Sequence, residues 1–169
     1  MRIYEGSPRQ DFEEVLRSMG AHLDQIGMKD VLVLETPDGF IVQGLINSGA
    51  TSSSWSDAIG HVSKETLTFQ DEDIARFMEE SIARRGEGPK AVFSEVGQYE
   101  ASFRIIGRFI DGDRPKDISF FEQDGAFVLR LHHSTQAGSR HSLAEFTHDD
   151  MEALLAKSPE LRTPAQPPS

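Results

Sequence analysis

FEEVLRSMGAHLDQIGMKDVLVLET, residues 12–36, lies over YEASFRIIGRFIDGDRPKDISFFEQ, residues 99–123, at a constant offset of 87, with seven identities in 25 positions. The identical pairs are Glu13/Glu100, Arg17/Arg104, Gly20/Gly107, Asp24/Asp111, Lys29/Lys116, Asp30/Asp117 and Glu35/Glu122. Unrelated segments of ordinary composition share about one or two residues over such a length. Apolar residues keep the same steps, in Phe12/Tyr99, Leu16/Phe103, Met19/Ile106, Leu23/Ile110 and Val31/Ile118. An internal repeat constrains architecture more tightly than any short motif in this chain. Farther on, FQDEDI (69–74) matches FTHDDM (146–151) at an offset of 77, which places a deletion of ten residues in the loop between the two matches.

Each copy reads as helix, hairpin, loop, strand, helix. In the first, Ser7 caps a helix with Pro8 at its first position, and Phe12, Val15, Leu16, Met19, Leu23 and Ile26 form one apolar stripe of helical period before Gly27 stops it. Val31–Leu34 is a continuous apolar run, the pattern of a strand covered on both faces. Thr36-Pro37-Asp38-Gly39 turns the chain into a second strand, Phe40–Ile46. In the second copy a helix over 95–111 has a wider apolar face, with Ile105 and Phe109 added to the stripe, as expected between two layers or at a subunit contact. Asp124-Gly125 suits a type I′ hairpin turn, tighter than that of the first copy by one residue. Polar loops at 47–64 and 133–141 lead to third strands near 65–70 and 142–146, and acidic first turns open the closing helices. The expectation is an α+β protein of two tandem αβββα repeats, residues 1–86 and 87–157, with an antiparallel sheet and an approximate internal twofold axis. GEGPK (86–90) reads as a linker, and 158–169, with four prolines in twelve residues, as a disordered tail.

Gly20 and Gly107 stand on the apolar helix faces, where glycine costs about 1 kcal/mol relative to alanine. The repetition of that cost predicts a close approach to a sheet or to the other copy's helix.

Composition narrows the function. With 28 acidic and 17 basic side chains the 169-residue chain carries −11, and no basic run supplies the counterion-release contribution that nucleic-acid binding needs. Cysteine is absent, so disulfides, thiolate nucleophiles and cysteine-ligated metals are excluded. The N-terminal residues lack an apolar signal core and no run approaches the roughly 20 apolar residues of a membrane span, so a cytoplasmic protein without membrane association is expected.

Chemistry-bearing residues fall in three groups. His132, His133 and His141 gather at a strand end and the following loop and form the candidate ligand-binding set; adjacent histidines on a strand point to opposite faces, so no metal site is assigned. The serine-rich stretch 47–56 has neither a nucleophile elbow nor a base partner, and its Trp55, the single tryptophan, is a candidate partner-binding residue together with Ile105 and Phe109. Glu35, Asp38, Glu122 and Asp124 recur at hairpin tips, where Asp38 and Asp124 precede glycine and serve the turn. No Walker loop, G-x-G-x-x-G or H-E-x-x-H is present, so no catalytic residue and no cofactor is assigned.

The order helix, three strands, helix resembles the general pattern of bacterial secretion-chaperone-like proteins. Repeated α+β units also occur in TATA-box-binding proteins, where a net charge of −11 argues against carrying DNA binding over. The leading expectation is a non-catalytic protein-interaction module, adaptor- or chaperone-like, whose partner is another protein or a second copy in a homodimer. It would use the hairpin surface or the apolar face of the 95–111 helix. The competing expectation is a small-molecule-binding or hydrolytic protein with a pocket between the repeats near loops 47–64 and 133–141.

Overall fold

A computed structural model of the chain describes residues 11–47, 62–85 and 98–157. Among them the order is α1 (Phe12–Ile26), β1 (Lys29–Thr36), β2 (Gly39–Asn47), β3 (Val62–Gln70), α2 (Asp71–Arg85), α3 (Gln98–Asp113), β4 (Asp117–Gln123), β5 (Ala126–Thr135), β6 (Gly138–Phe146) and α4 (His148–Lys157). The six strands form one antiparallel sheet in the order β3-β2-β1-β4-β5-β6, so the α+β class holds and β1 and β4 meet at the centre. No helix among the described residues is long and apolar enough to cross a membrane.

The first helix starts later than Ser7-Pro8 would place it. Asp11 is its N-cap, with a side-chain oxygen accepting from the Glu14 N–H at 3.0 Å, and residues 1–10 lie outside the described residues. Gly27 ends the helix in the left-handed region at φ 72°. Arg114, 87 positions on, takes the same region at φ 51° after α3. The two hairpin turns are equal in length, Pro37-Asp38 and Asp124-Gly125, so the offset of 87 runs unbroken from the helices through β2 and β5. They differ in conformation instead. Asp124 and Gly125 have φ of 52° and 80°, as a type I′ turn requires, whereas the ring of Pro37 forbids positive φ.

The third strands are longer than expected, and β5 and β6 take up most of the loop anticipated at 133–141. β5 and β6 pair down to Thr135 and Gly138, so 133–141 is a hairpin end, and β3 begins at Val62. Offset 77 then holds in the pairing itself, since Phe40 opposes Phe69 and Phe127 opposes Phe146.

One sheet face is covered. Val31, Val33, Phe40, Val42, Ile118, Phe120, Phe127, Leu129 and Leu131 point to it and are buried against Leu16, Met19 and Leu23 of α1 and Phe103, Ile106 and Ile110 of α3. The wide apolar face of α3 is thereby spent on the core except at Phe109, which stays 40% exposed.

α1 and α3 run antiparallel, and their contacts recur at the repeat offset. A Cβ on Gly20 would strike the Tyr99 backbone carbonyl, and one on Gly107 would strike that of Phe12. The Asp24 carboxylate accepts from the Tyr99 and Glu100 N–H groups at 3.1 and 2.9 Å; the Asp111 carboxylate accepts from those of Phe12 and Glu13 at 2.8 and 3.0 Å. Arg17 Nε donates to Glu100 at 3.2 Å and Arg104 Nε to Glu13 at 3.0 Å. Burial alone would raise the Glu13 carboxyl, but hydrogen bonds from Arg108 and Arg104 hold it below its usual value. In the sheet, Val33 opposes Phe120, with Leu32 facing Phe121 on one side and Leu34 facing Ser119 on the other. The residues identical at offset 87 therefore lie mostly in the seam between α1 with β1 and α3 with β4.

Candidate functional site

Strand alternation sends every second residue to the face away from the helices. Two rows cross it. One runs Thr68, Ile41, Leu34, Ser119, Arg130, Leu143 and the other Thr66, Gln43, Leu32, Phe121, Val128, Glu145, each neighbour an in-register partner. Leu34 is 40% exposed, Phe121 39% and Leu143 75%, while Leu32, Ile41 and Val128 are half-buried. The Val31–Leu34 run thus corrects its own reading: Val31 and Val33 enter the core, but Leu32 and Leu34 face the open side of the sheet. An antiparallel sheet with one wet face ordinarily alternates apolar with polar residues; β1 at its centre does not, and Phe121 breaks the alternation of β4. Both signs of charge occur on this face, Lys64 and Arg130 with Asp117 and Glu145, around the apolar residues at its centre.

Beside the first row lies a histidine pair. His132 Nδ1 is 2.7 Å from Asp117 Oδ2, and its ring stacks on that of His141, its partner across the ladder, at 4.7 Å between centroids and 20° between planes. His133 points to the other face, where Nε2 lies 2.9 Å from Asp113 Oδ2 at the end of α3. The structure therefore brings His132 and His141 together and separates His133 from them. Asp117 orients the His132 ring, which is 16% exposed, at the edge of the open sheet face. No group of three metal-ligating side chains converges among the described residues.

Of the partner-binding candidates, Ile105 is 4% exposed and belongs to the core. Phe109 is 40% exposed on the outer side of α3, with its ring edge-on to Phe146 at 5.3 Å. Trp55 lies outside the described residues, as do most of the 47–64 loop, the 86–90 linker and the 158–169 tail. Asn47 and Val62, which flank the first loop, and the Thr135–Gly138 turn leave the sheet at opposite ends, because β1 and β4 are antiparallel and each turn stands at the start of its own central strand. Residues flanking the two turns are not neighbours.

A crevice of about 60 Å³ between α1 and α2 is lined by Ser18, His22, Gln25, Phe77 and Glu80. Ligand pockets run to several hundred Å³, and this one is filled on one side by the His22 ring stacked 4.3 Å from Phe77.

Half-buried carboxyls mark the seam ends. Glu35 accepts from the Ile118 N–H at 3.2 Å, and burial pushes its carboxyl up to about 7. Glu122, its counterpart, accepts from the Tyr99 hydroxyl at 3.1 Å and is likewise raised by burial. Both groups are held by β-strand or helix-end donors of the opposite copy or of α3, which is a structural duty.

Leu32, Leu34, Phe121 and Leu143 were not singled out by sequence reasoning. The signal is present, as apolar residues at positions of both parities in VLVL and ISFF, but in VLVL it is also the pattern of a doubly covered strand. No protein-family model, curated protein or solved structure matches the chain.

Proposed function

We propose that the chain is a non-catalytic protein-interaction module, adaptor- or chaperone-like, that binds an apolar segment of a partner polypeptide on the open face of its sheet. The observation that carries this reading is the exposure of Leu34 and Phe121 at the centre of that face, on the two middle strands. Large apolar side chains clustered on one surface mark interaction sites more often than singly scattered ones do.

The test is affinity capture with the tagged full chain, wild type against Leu34→Lys/Phe121→Lys, quantified by mass spectrometry. Proteins enriched by the wild type should fall at least about tenfold with the double variant, since two lysines on a desolvated contact cost several kcal/mol. They should be retained by Glu79→Lys on α2, which changes charge away from the sheet. Identical capture by the wild type and the double variant would refute the reading.

A further inference from the structure

The seam between the two copies has the form of a twofold interface within one chain. In a symmetric dimer residue i of one subunit contacts j of the other, and j contacts i. Here the same rule holds with the second subunit's residues numbered 87 higher. Arg17 reaches Glu100 and Glu13 receives Arg104; Gly20 admits the Tyr99 backbone and Gly107 that of Phe12; Asp24 caps the start of α3 and Asp111 the start of α1. Leu32 faces Phe121 as Leu34 faces Ser119, with Val33 and Phe120 at the centre. None of these contacts involves residues 86–97, which join the copies. Among the described residues, the seam is thus made by two surfaces that do not depend on being in one polypeptide.

We infer that this seam is an exchangeable interface whose second partner is another copy of the chain: the α1–β1–β2–β3–α2 half of one molecule docks on the α3–β4–β5–β6–α4 half of a second, and the remaining halves close in the same way. Such a dimer keeps every seam contact of the monomer, so concentration during folding, rather than contact energy, sets how much of it forms. It carries two complete open faces, and a partner with two apolar segments would bind it with avidity.

Charge complementation in full-length chains tests the exchange. Arg17→Glu places two carboxylates together at the Arg17–Glu100 contact, and Glu100→Arg places two guanidinium groups there. Each chain alone should show a depressed melting temperature. Mixed in denaturant and refolded together, the two should give a one-to-one heterodimer that melts near the wild type, because exchange pairs Glu at 17 with Arg at 100 and the native Arg17 with the native Glu100. The single chain carrying both substitutions should fold as a monomer. Absence of heterodimer while that double variant folds would overturn the inference. If the double variant does not fold, refolding of the wild type at micromolar and millimolar concentration decides: a dimer fraction that rises with concentration and melts like the monomer upholds exchange, and monomer alone at both concentrations rejects it.

Discussion

At the scale of single residues, two glycines and one carboxyl illustrate how local cost is tied to the seam. A methyl group at Gly20 or Gly107 would overlap main-chain atoms of the opposite helix, which cannot rotate away as a side chain can. Gly20→Ala and Gly107→Ala should each lose roughly 3 kcal/mol or more in urea unfolding. Gly112 in the same helix as Gly107 has nothing within 4 Å of its Cβ position, so Gly112→Ala should be neutral or gain up to about 1 kcal/mol. Equal costs for Gly107→Ala and Gly112→Ala would show that helix propensity, not close approach, is what matters. Glu35 sets a pH dependence. Its carboxyl stands near 7 when folded against an ordinary value of 4.5, so the folded chain holds that proton more tightly than the unfolded one. The linkage therefore adds stability that is fully present below the unfolded value and is lost as pH rises through the folded one, up to roughly 3 kcal/mol. Glu35→Gln keeps an acceptor for the Ile118 N–H and removes the charge. Its melting temperature should decline less between about pH 4.5 and about pH 7 than that of the wild type, while Glu122, Asp24 and Asp11, also raised by burial, retain a residual slope. Superimposable pH profiles for the two proteins would exclude Glu35 as a source of the slope.

Among elements, the helix starts are where the copies hold each other. The first N–H groups of a helix have no partner within it. In α1 and α3 a carboxylate from the other helix accepts two of them, Asp111 for Phe12 and Glu13, and Asp24 for Tyr99 and Glu100. These bonds join tertiary packing to secondary structure, so Asp111→Ala and Asp24→Ala should each cost about 1–2 kcal/mol in chemical denaturation, by removing an ionised cap. Two nearly equal values would reflect the equivalence of the two sites; a loss confined to one would break it. α2 and α4 are capped locally instead, by Asp73 to the Gln70 N–H and Asp150 to the Thr147 N–H, each at 3.0 Å. That reciprocal pattern of a side chain three residues into the helix is visible in FQDEDI and FTHDDM. The cross-helix caps are not, because an aspartate near a helix end looks the same whether it points to solvent or to a neighbour's first turn.

For the whole molecule, the asymmetry of the sheet is the consequence that bears on function. A buried residue of the covered face, Leu129, should lose about 2–5 kcal/mol on truncation to alanine, whereas Leu143, 75% exposed on an edge strand of the open face, should tolerate threonine within about 0.5 kcal/mol. Comparable losses at the two positions would mean that the open face is packed, and the proposed binding surface would lose its basis. Element order and the faces of α1 were legible in the chain because each rests on periodicity and on turn and cap residues, which are properties of sequence. The chain by itself also determined that disulfides and thiolate chemistry are absent and that phosphate neutralisation has no basic surface to use. Tertiary structure alone decided where the wide apolar face of α3 goes, that β1 and β4 form the centre of one sheet, and that Leu32, Leu34 and Phe121 share a surface facing away from the helices. The physical reason is that an apolar side chain does not encode which neighbour removes it from water; that depends on strand order and layer, and both are set by contacts between residues some 87 positions apart.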